Sequence, residues 1–275
     1  MKIIIFGSNG MLGNYVKSYL TKHHYEIICL TRDDYDLSNI SFESLDTLLI
    51  KKNIMPNDVI INCAGIIPQS SNQHTLVSSL YFKINSLFPV ILSSICNKYS
   101  AKMIHITTDC VFSGKDGNYC ESSIHDETSD YGLSKSLGEL CDATIIRTSI
   151  IGEELLNKRS LLEWTKSNAN KEINGYVNHY WNGVTCLELS KIIYKIINEN
   201  IYWKTPYHLF SPTSVTKYEL VSLINEIYNL NINIHEFNDI LMIDKTLTTN
   251  NQPIIDIFNI QELKQQIIEM KNYNF

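Results

Sequence analysis

At 275 residues, 44% of them hydrophobic and 19% charged, the chain is long enough for one large or two modest domains with ample material for a core. Its 29 acidic against 23 basic side chains leave a formal net charge of −6, which argues against a dedicated nucleic-acid or anionic-membrane surface. Seven scattered cysteines without Cys-x-x-Cys spacing read as reduced thiols of a cytoplasmic protein, not as a disulfide framework or a metal site.

The first run, Lys2 to Phe6, is short, apolar and β-branched, as for a buried parallel strand. It is too short for a signal peptide, and no apolar stretch is expected to approach the ~20 residues of a membrane helix. Gly7-Ser8-Asn9-Gly10-Met11-Leu12-Gly13 follows at once, and Met11, Leu12, Tyr15, Val16, Tyr19 and Leu20 then repeat at helical spacing. A glycine pattern on a strand-to-helix turn permits close backbone approach, and the helix N-terminus offers free N–H groups to a diphosphate. A purely structural turn is the alternative.

Tyr25 to Leu30 reads as the second strand, ending at Thr31-Arg32-Asp33, where a dinucleotide-binding unit selects its ribose. Arg32 suits a 2′-phosphate and Asp33 a 2′-hydroxyl, so the pattern favours NADPH and leaves NADH open. Tyr35-Asp36-Leu37 reads as a short third strand whose end borders an adenine pocket, and Phe42 to Lys52 as a helix. Asp58 to Asn62 is then a fourth strand, running into Cys63-Ala64-Gly65, small residues along which a cofactor lies closely or a plain strand exit. Leu76 to Lys98 reads as a long apolar helix, kinked or divided at Pro89.

Lys102 to Thr107 is the next strand, and Thr107-Thr108-Asp109 sits at its C-terminal end, where open α/β sheets bind ligands. A hydroxyl there polarises a carbonyl. On a helix from Tyr131 to about Leu140, Tyr131 and Lys135 share one face, one turn apart. An ammonium so placed favours phenolate and makes the phenol a usable proton donor to a carbonyl oxygen as hydride arrives at carbon. Ala143 to Thr148 is a further strand.

Beyond residue 150 the alternation loosens. Helices are predicted over Ser160 to Asn168, Leu187 to Asn198, from Ser214–Glu219 to Tyr228 (capped by Ser214 or Thr216) and over Ile260 to Lys271, with a strand at Tyr207 to Phe210. Tyr176 to Asn182 is either a substrate-facing loop or an aromatic packing loop.

These segments together resemble the extended short-chain dehydrogenase/reductase family, and within it the sugar-nucleotide reductases similar to dTDP-4-dehydrorhamnose reductase. The resemblance rests on Gly7 to Gly13, Asn62 to Gly65, Thr107 to Gly114, Tyr131 to Glu139 and Arg147 to Ser149, in that order and spacing. It implies an α/β fold: a Rossmann doubly wound parallel sheet with helices on both faces over residues 1–150, and a smaller mixed α/β substrate domain over 151–275. A segment near 185–200 is expected to return to the Rossmann core. It implies Thr108, Tyr131 and Lys135 as the catalytic set, with Tyr131 protonating the C4 oxygen of a 4-keto sugar nucleotide. Lys135 would hold the nicotinamide ribose and depress the Tyr131 pKa, Thr108 would hydrogen-bond the carbonyl oxygen, and Asp109, beside Cys110, would place the sugar. The expected partners are NADPH, a nucleotide sugar and a second copy of the chain, with no metal. The alternatives are an epimerase or dehydratase of the same family, or a non-catalytic cofactor-binding regulatory subunit. Three places depart from the branch: Cys110 replaces a tyrosine, Ile150 an aromatic residue after Arg-Thr-Ser, and Ile124 to Glu127 lack the usual prolines. The first two lie where substrate shape is read.

Overall fold

Ile3, Ile4 and Ile5 are all fully buried, so β1 (Lys2–Phe6) has core on both faces, the condition of a central parallel strand. In the computed structural model, which describes residues 1–68, 78–156 and 158–275, β1 leads into α1 (Met11–Lys22), β2 (Glu26–Leu30) and α2 (Phe42–Lys51). The third strand expected at Tyr35-Asp36-Leu37 is absent. Asp36 accepts a hydrogen bond from Ser38 N at 3.0 Å and caps a 3₁₀ turn over Leu37–Asn39, because a short side chain that bonds two residues ahead favours a turn over a ladder.

β3 (Val59–Asn62) is therefore the third strand. The helical run behind it has three parts: α3 (Ser78–Tyr81), a π-helical turn (Phe82–Leu87) and α4 (Phe88–Lys98). The break precedes Pro89, which has no N–H to give the Asn85 carbonyl one turn back. The expected start at Leu76 lies outside the described residues. Contrary to the expectation that no stretch approaches membrane-spanning length, Ser78–Lys98, 21 residues, is long and apolar enough by length and composition to cross one. More than half of it is buried inside the molecule, with Phe88, Leu92 and Ile95 packed on the sheet.

β4 (Lys102–Thr108), α5 (Asp130–Gly138), β5 (Thr144–Thr148) and β6 (Ile150–Ile151) follow. The C-terminal segment holds α6 (Leu161–Ser167), β7 (Glu172–Tyr176), β8 (His179–Trp181), β9 (Val184–Thr185), α7 (Cys186–Asn198) and β10 (Tyr207–His208). It closes with β11 (Val215–Thr216), α8 (Lys217–Tyr228), β12 (Asn233–Phe237), β13 (Ile243–Asp244), α9 (Gln252–Phe258) and α10 (Leu263–Lys271). The strand expected over Tyr207 to Phe210 shrinks to two residues, and α8 begins at Lys217 on a Thr216–Glu219 capping box, not on Ser214.

The main sheet has six parallel strands in the order β10-β5-β4-β3-β1-β2, with Ile4 opposite Ile28 and Ile60 and Ile104 opposite Ile61. The chain leaves β1 to one side for β2 and returns on the other for β3, which opens a crevice at the carboxyl ends of those strands. Alternate residues of each strand feed two cores. Ile3, Ile5 and Ile61 pack with Tyr15, Leu189 and Ile193, so α7 returns to lie against α1; Ile4, Phe6 and Ile60 pack with Leu45 and Phe88 on the other face. The rest of the C-terminal segment combines α6, α8, α9 and α10 with two- and three-stranded sheets, β11-β8-β13, β12-β7 and β6-β9.

Candidate active site

Gly7 has φ +75°, and a Cβ there would stand 2.7 Å from Ala64 N. A Cβ on Gly13 would run into the Gly7 carbonyl. These two glycines let the turn fold back on itself and let α1 press against the strand ends. Gly10 is the N-cap of α1, with no side-chain cap and no acidic residue in the first turn. Its first N–H groups are thus left for an anion, a fit to the diphosphate of a dinucleotide that the residues themselves provide.

Two stretches of groove meet along Gly10 and Cys63-Ala64-Gly65 and run as one channel. The first, with an open volume of about 1050 Å³, is walled by Gly7, Arg32, Tyr35, Asp36 and Leu37. The second, about 1390 Å³, is walled by Met11, Leu12, Thr108, Asp109, Cys110, Tyr131, Lys135 and Ile150. Of the turn residues, Ser8 is buried beneath the groove, Asn9 is exposed with its carbonyl bonded to Asn14 Nδ2 at 3.1 Å, and Gly13 packs behind it. Arg32 is exposed at the rim and forms no ion pair among the described residues, whereas Asp33 does not line the groove.

Thr108 ends β4 and caps the short 3₁₀ turn Asp109–Val111; its hydroxyl accepts from Cys110 N at 3.1 Å and donates to Asp109 Oδ1 at 3.0 Å. Tyr131 and Lys135 enter from α5, which is N-capped by Ser129. Burial pushes the Tyr131 phenol up, with further help from Cys110, and its hydrogen bond with Thr108 opposes this. The expected depression by Lys135 is therefore not what this environment produces. Lys135 itself is pulled down to about 8 by burial, against the supporting charge of Glu139. Its Nζ lies against Gly65, where a Cβ would approach to 2.8 Å.

Three features of the site have roles that the sequence reading does not assign. Asn85, at the π-helical turn, accepts from Ile66 N and donates to Ile66 O, each at 3.0 Å, and bonds Ser134 Oγ at 3.0 Å, so it ties the Gly65 loop to α5. Arg147, 1% exposed, donates to both oxygens of Glu139 and is hydrogen-bonded to His208 Nε2 at 2.6 Å and His125 Nε2 at 2.8 Å. Lys217, at the first position of α8, lies over the Trp181 ring at 5.1 Å and interacts electrostatically with Asp109 and Cys110. An isolated lysine or asparagine in a helix gives no warning of this; only the meeting of distant segments does. The stretch Tyr176 to Asn182 is a strand–turn–strand, with Tyr176 stacked on His179 and Asn182 bonded to the Leu247 backbone; none of it lines the groove.

A parallel sheet with a glycine turn at one strand end and a Tyr-x-x-x-Lys helix lining the same groove defines a Rossmann-type α/β protein. The chain belongs to the family described as the RmlD substrate binding domain, whose model matches residues 1–233. It is 24% identical over 160 residues to a dTDP-4-dehydrorhamnose reductase of Mycobacterium tuberculosis (strain CDC 1551 / Oshkosh), covering 54% of this chain and 49% of that one. It is 29% identical over 157 residues to the Bacillus subtilis spore coat polysaccharide biosynthesis protein SpsK, covering 54% and 52%. The matches span about half the length of these curated relatives. Among solved structures, a dTDP-4-dehydrorhamnose reductase of Bacillus anthracis in complex with NADP superposes with a TM-score of 0.83 at 21% identity, over 98% of each chain, which establishes the shared fold.

Proposed function

We propose that this chain is a cytoplasmic, NADPH-dependent reductase of the C4 ketone in a nucleotide-linked 4-keto-6-deoxy sugar, serving surface polysaccharide synthesis. The observation that carries this reading is the single groove that runs from the uncapped N-terminus of α1 and the free guanidinium of Arg32 to Thr108, Tyr131 and Lys135. The names of the relatives, two reductases of dTDP-4-dehydrorhamnose and a polysaccharide biosynthesis protein, support the substrate class.

In this reading the α1 N–H groups hold the diphosphate, Arg32 the 2′-phosphate, and Asp36 and Leu37 the wall of the adenine pocket. NADPH, when bound, supplies the hydride that reaches C4. Tyr131 gives its proton to the C4 oxygen; burial keeps that proton on the phenol at neutral pH, so the acid form is ready for reduction. Thr108 is the second hydrogen-bonding group for the carbonyl oxygen, Lys135 holds the ribose hydroxyls, and Asp109 orients the sugar. The ketone becomes an alcohol, with one hydride and one proton gained. Residues 1–150 form the cofactor domain and most of 151–275 the substrate domain. The surface this reading gives to a homodimer is the exposed Leu133, Leu137 and Leu140 on and just after α5, with the exposed Leu87 of the π-helical turn on which α5 packs.

The test is absorbance of NADPH against a panel of 4-keto-6-deoxy sugars on dTDP, UDP and GDP. Stoichiometric oxidation with one of them is expected. Turnover without net change in NADPH would replace the reading by an epimerase or dehydratase.

A further inference from the structure

Lys217, near the sugar pocket, is a charged side chain outside the catalytic set. Among the described residues its Nζ has no hydrogen bond and no ion pair. The nearest carboxylate on its own helix, Glu219, is taken by Thr216, whose N–H and hydroxyl it accepts at 2.7 and 3.0 Å. Asp109 attracts the ammonium without bonding to it; Asp109 Oδ1 is occupied by the Thr108 hydroxyl and the Cys110 thiol. Of the other ammonium groups that interact with Cys110, Lys245 is paired with Glu127 at 3.5 Å, and Lys135 lies against Gly65 with Glu139 supporting its charge. Lys217 also stands in the first turn of a twelve-residue helix, the end where the helix dipole disfavours a cation. Although part of its surface is exposed, its surroundings are dry enough to pull its pKa below the ordinary lysine value. A cation placed against the dipole, half desolvated and unpaired, is destabilising unless an anion joins it.

The position says which anion. Asp109, Cys110 and Ser149 line the pocket with Tyr131 and Lys135; Gly183 lies between the Ser149 carbonyl and the Trp181 ring, and Lys217, over that ring, reaches towards Asp109 and Cys110 from the C-terminal segment. A pyranose with C4 at Tyr131 points C1 across the ring, away from the nicotinamide end, and C1 carries the diphosphate. We propose that Lys217 binds the diphosphate of the sugar nucleotide, with its ammonium held in place over the face of Trp181. Arginine and lysine donors to phosphate form charge-assisted bonds, and the Trp181 ring holds the cation without neutralising it. This rests on the nucleotide-sugar reading of the pocket above.

The experiment is calorimetric titration of the full chain and of Lys217→Met and Lys217→Arg with dTDP, UDP and GDP, and with the corresponding nucleosides. For the diphosphate that wild type binds, Lys217→Met should weaken affinity about 10- to 100-fold and flatten its salt dependence, Lys217→Arg should restore most of it, and nucleoside affinity should not change. NADPH affinity serves as the folding control. Equal diphosphate affinity in wild type and Lys217→Met overturns the proposal and leaves Lys217 as a counter-charge to Asp109; a change in turnover alone, with diphosphate binding intact, overturns it too. Because the titration needs no catalysis, a chain that oxidises no NADPH but shows the Lys217-dependent diphosphate binding refutes the reductase reading and sustains this one.

Discussion

The two ends of the groove are built in different ways. The proposed cofactor end comes from short local segments: one turn, Gly7 to Gly13, and the ends of β1, β2 and β3, four- or five-residue strands of which β1 and β3 are buried on both faces and β2 is partly exposed. The proposed sugar end is assembled across the chain, from β4, α5, the β5–β6 junction and, near Asp109, the first residue of α8. Local backbone geometry fixes the first end, and long-range packing fixes the second. The first is therefore rigidly specified by spacing, whereas the second changes with single side chains such as Cys110 and Ile150.

The largest expected effect lies at the second end, at Tyr131. Tyr131→Phe removes the proposed proton donor and leaves the ring that packs on Tyr81 at 6.2 Å. Turnover should fall by about 10²- to 10⁴-fold with NADPH affinity unchanged. A variant that keeps its turnover would put the chemistry elsewhere; one that keeps its biological role without turnover would favour the regulatory-subunit alternative.

The next effect tests how the sugar end is held to the sheet. Arg147 on β5 bonds Glu139 after α5, His125 in the loop before it and His208 on β10, and His208 Nδ1 reaches Thr248 O at 2.7 Å. Burial and the adjacent guanidinium bring the His208 ring down to about 4, so it stays neutral and free to accept from Arg147 at neutral pH. Arg147→Met would leave the Glu139 carboxylate buried and unpaired, which costs about 3–5 kcal/mol in comparable pairs. Urea denaturation should show that loss, and replacing Glu139 by Gln in the same chain should recover part of it. A loss no larger than that of an ordinary surface substitution would mean that the seam is held by apolar packing alone.

The same difference decides how much was legible in the sequence. Lys2 to Phe6 followed by spaced glycines specifies a strand, a turn and a helix, since each is set by its neighbours. Tyr131 and Lys135 could be paired because a helix puts them one turn apart. The misreading at Tyr35-Asp36-Leu37 was a competition between two local preferences, in which the Asp36 side chain bonding to Ser38 prevailed over an apolar pattern. The rise of the Tyr131 pKa was beyond reach, because burial by residues far along the chain outweighs the lysine nearby in sequence. Lys217 and the Arg147 network were likewise hidden: Lys217 meets Trp181, Asp109 and Cys110 from other elements, and Arg147 joins Glu139 and His125 to His208, 61 residues away, so only the folded chain brings them together.

The smallest effect sharpens the comparison from the cofactor end. If that end is set by backbone, single side chains there should tune the choice of cofactor without disturbing catalysis. Arg32 is the case to try, since it is exposed, unpaired and on the wall of the groove, and Asp36 nearby is held low chiefly by its own Ser38 bonds, with Arg32 contributing least. Arg32→Ala deletes one charge-assisted contact to a 2′-phosphate, worth about 1.5–3 kcal/mol, or roughly 10- to 100-fold in NADPH affinity. NADH, which lacks that phosphate, should bind as before, and turnover at saturating cofactor should not change. Equal weakening of both cofactors would remove the 2′-phosphate role from Arg32. A fall in saturated turnover would show that the two ends of the groove are coupled through more than the shared Gly10 and Gly65 wall.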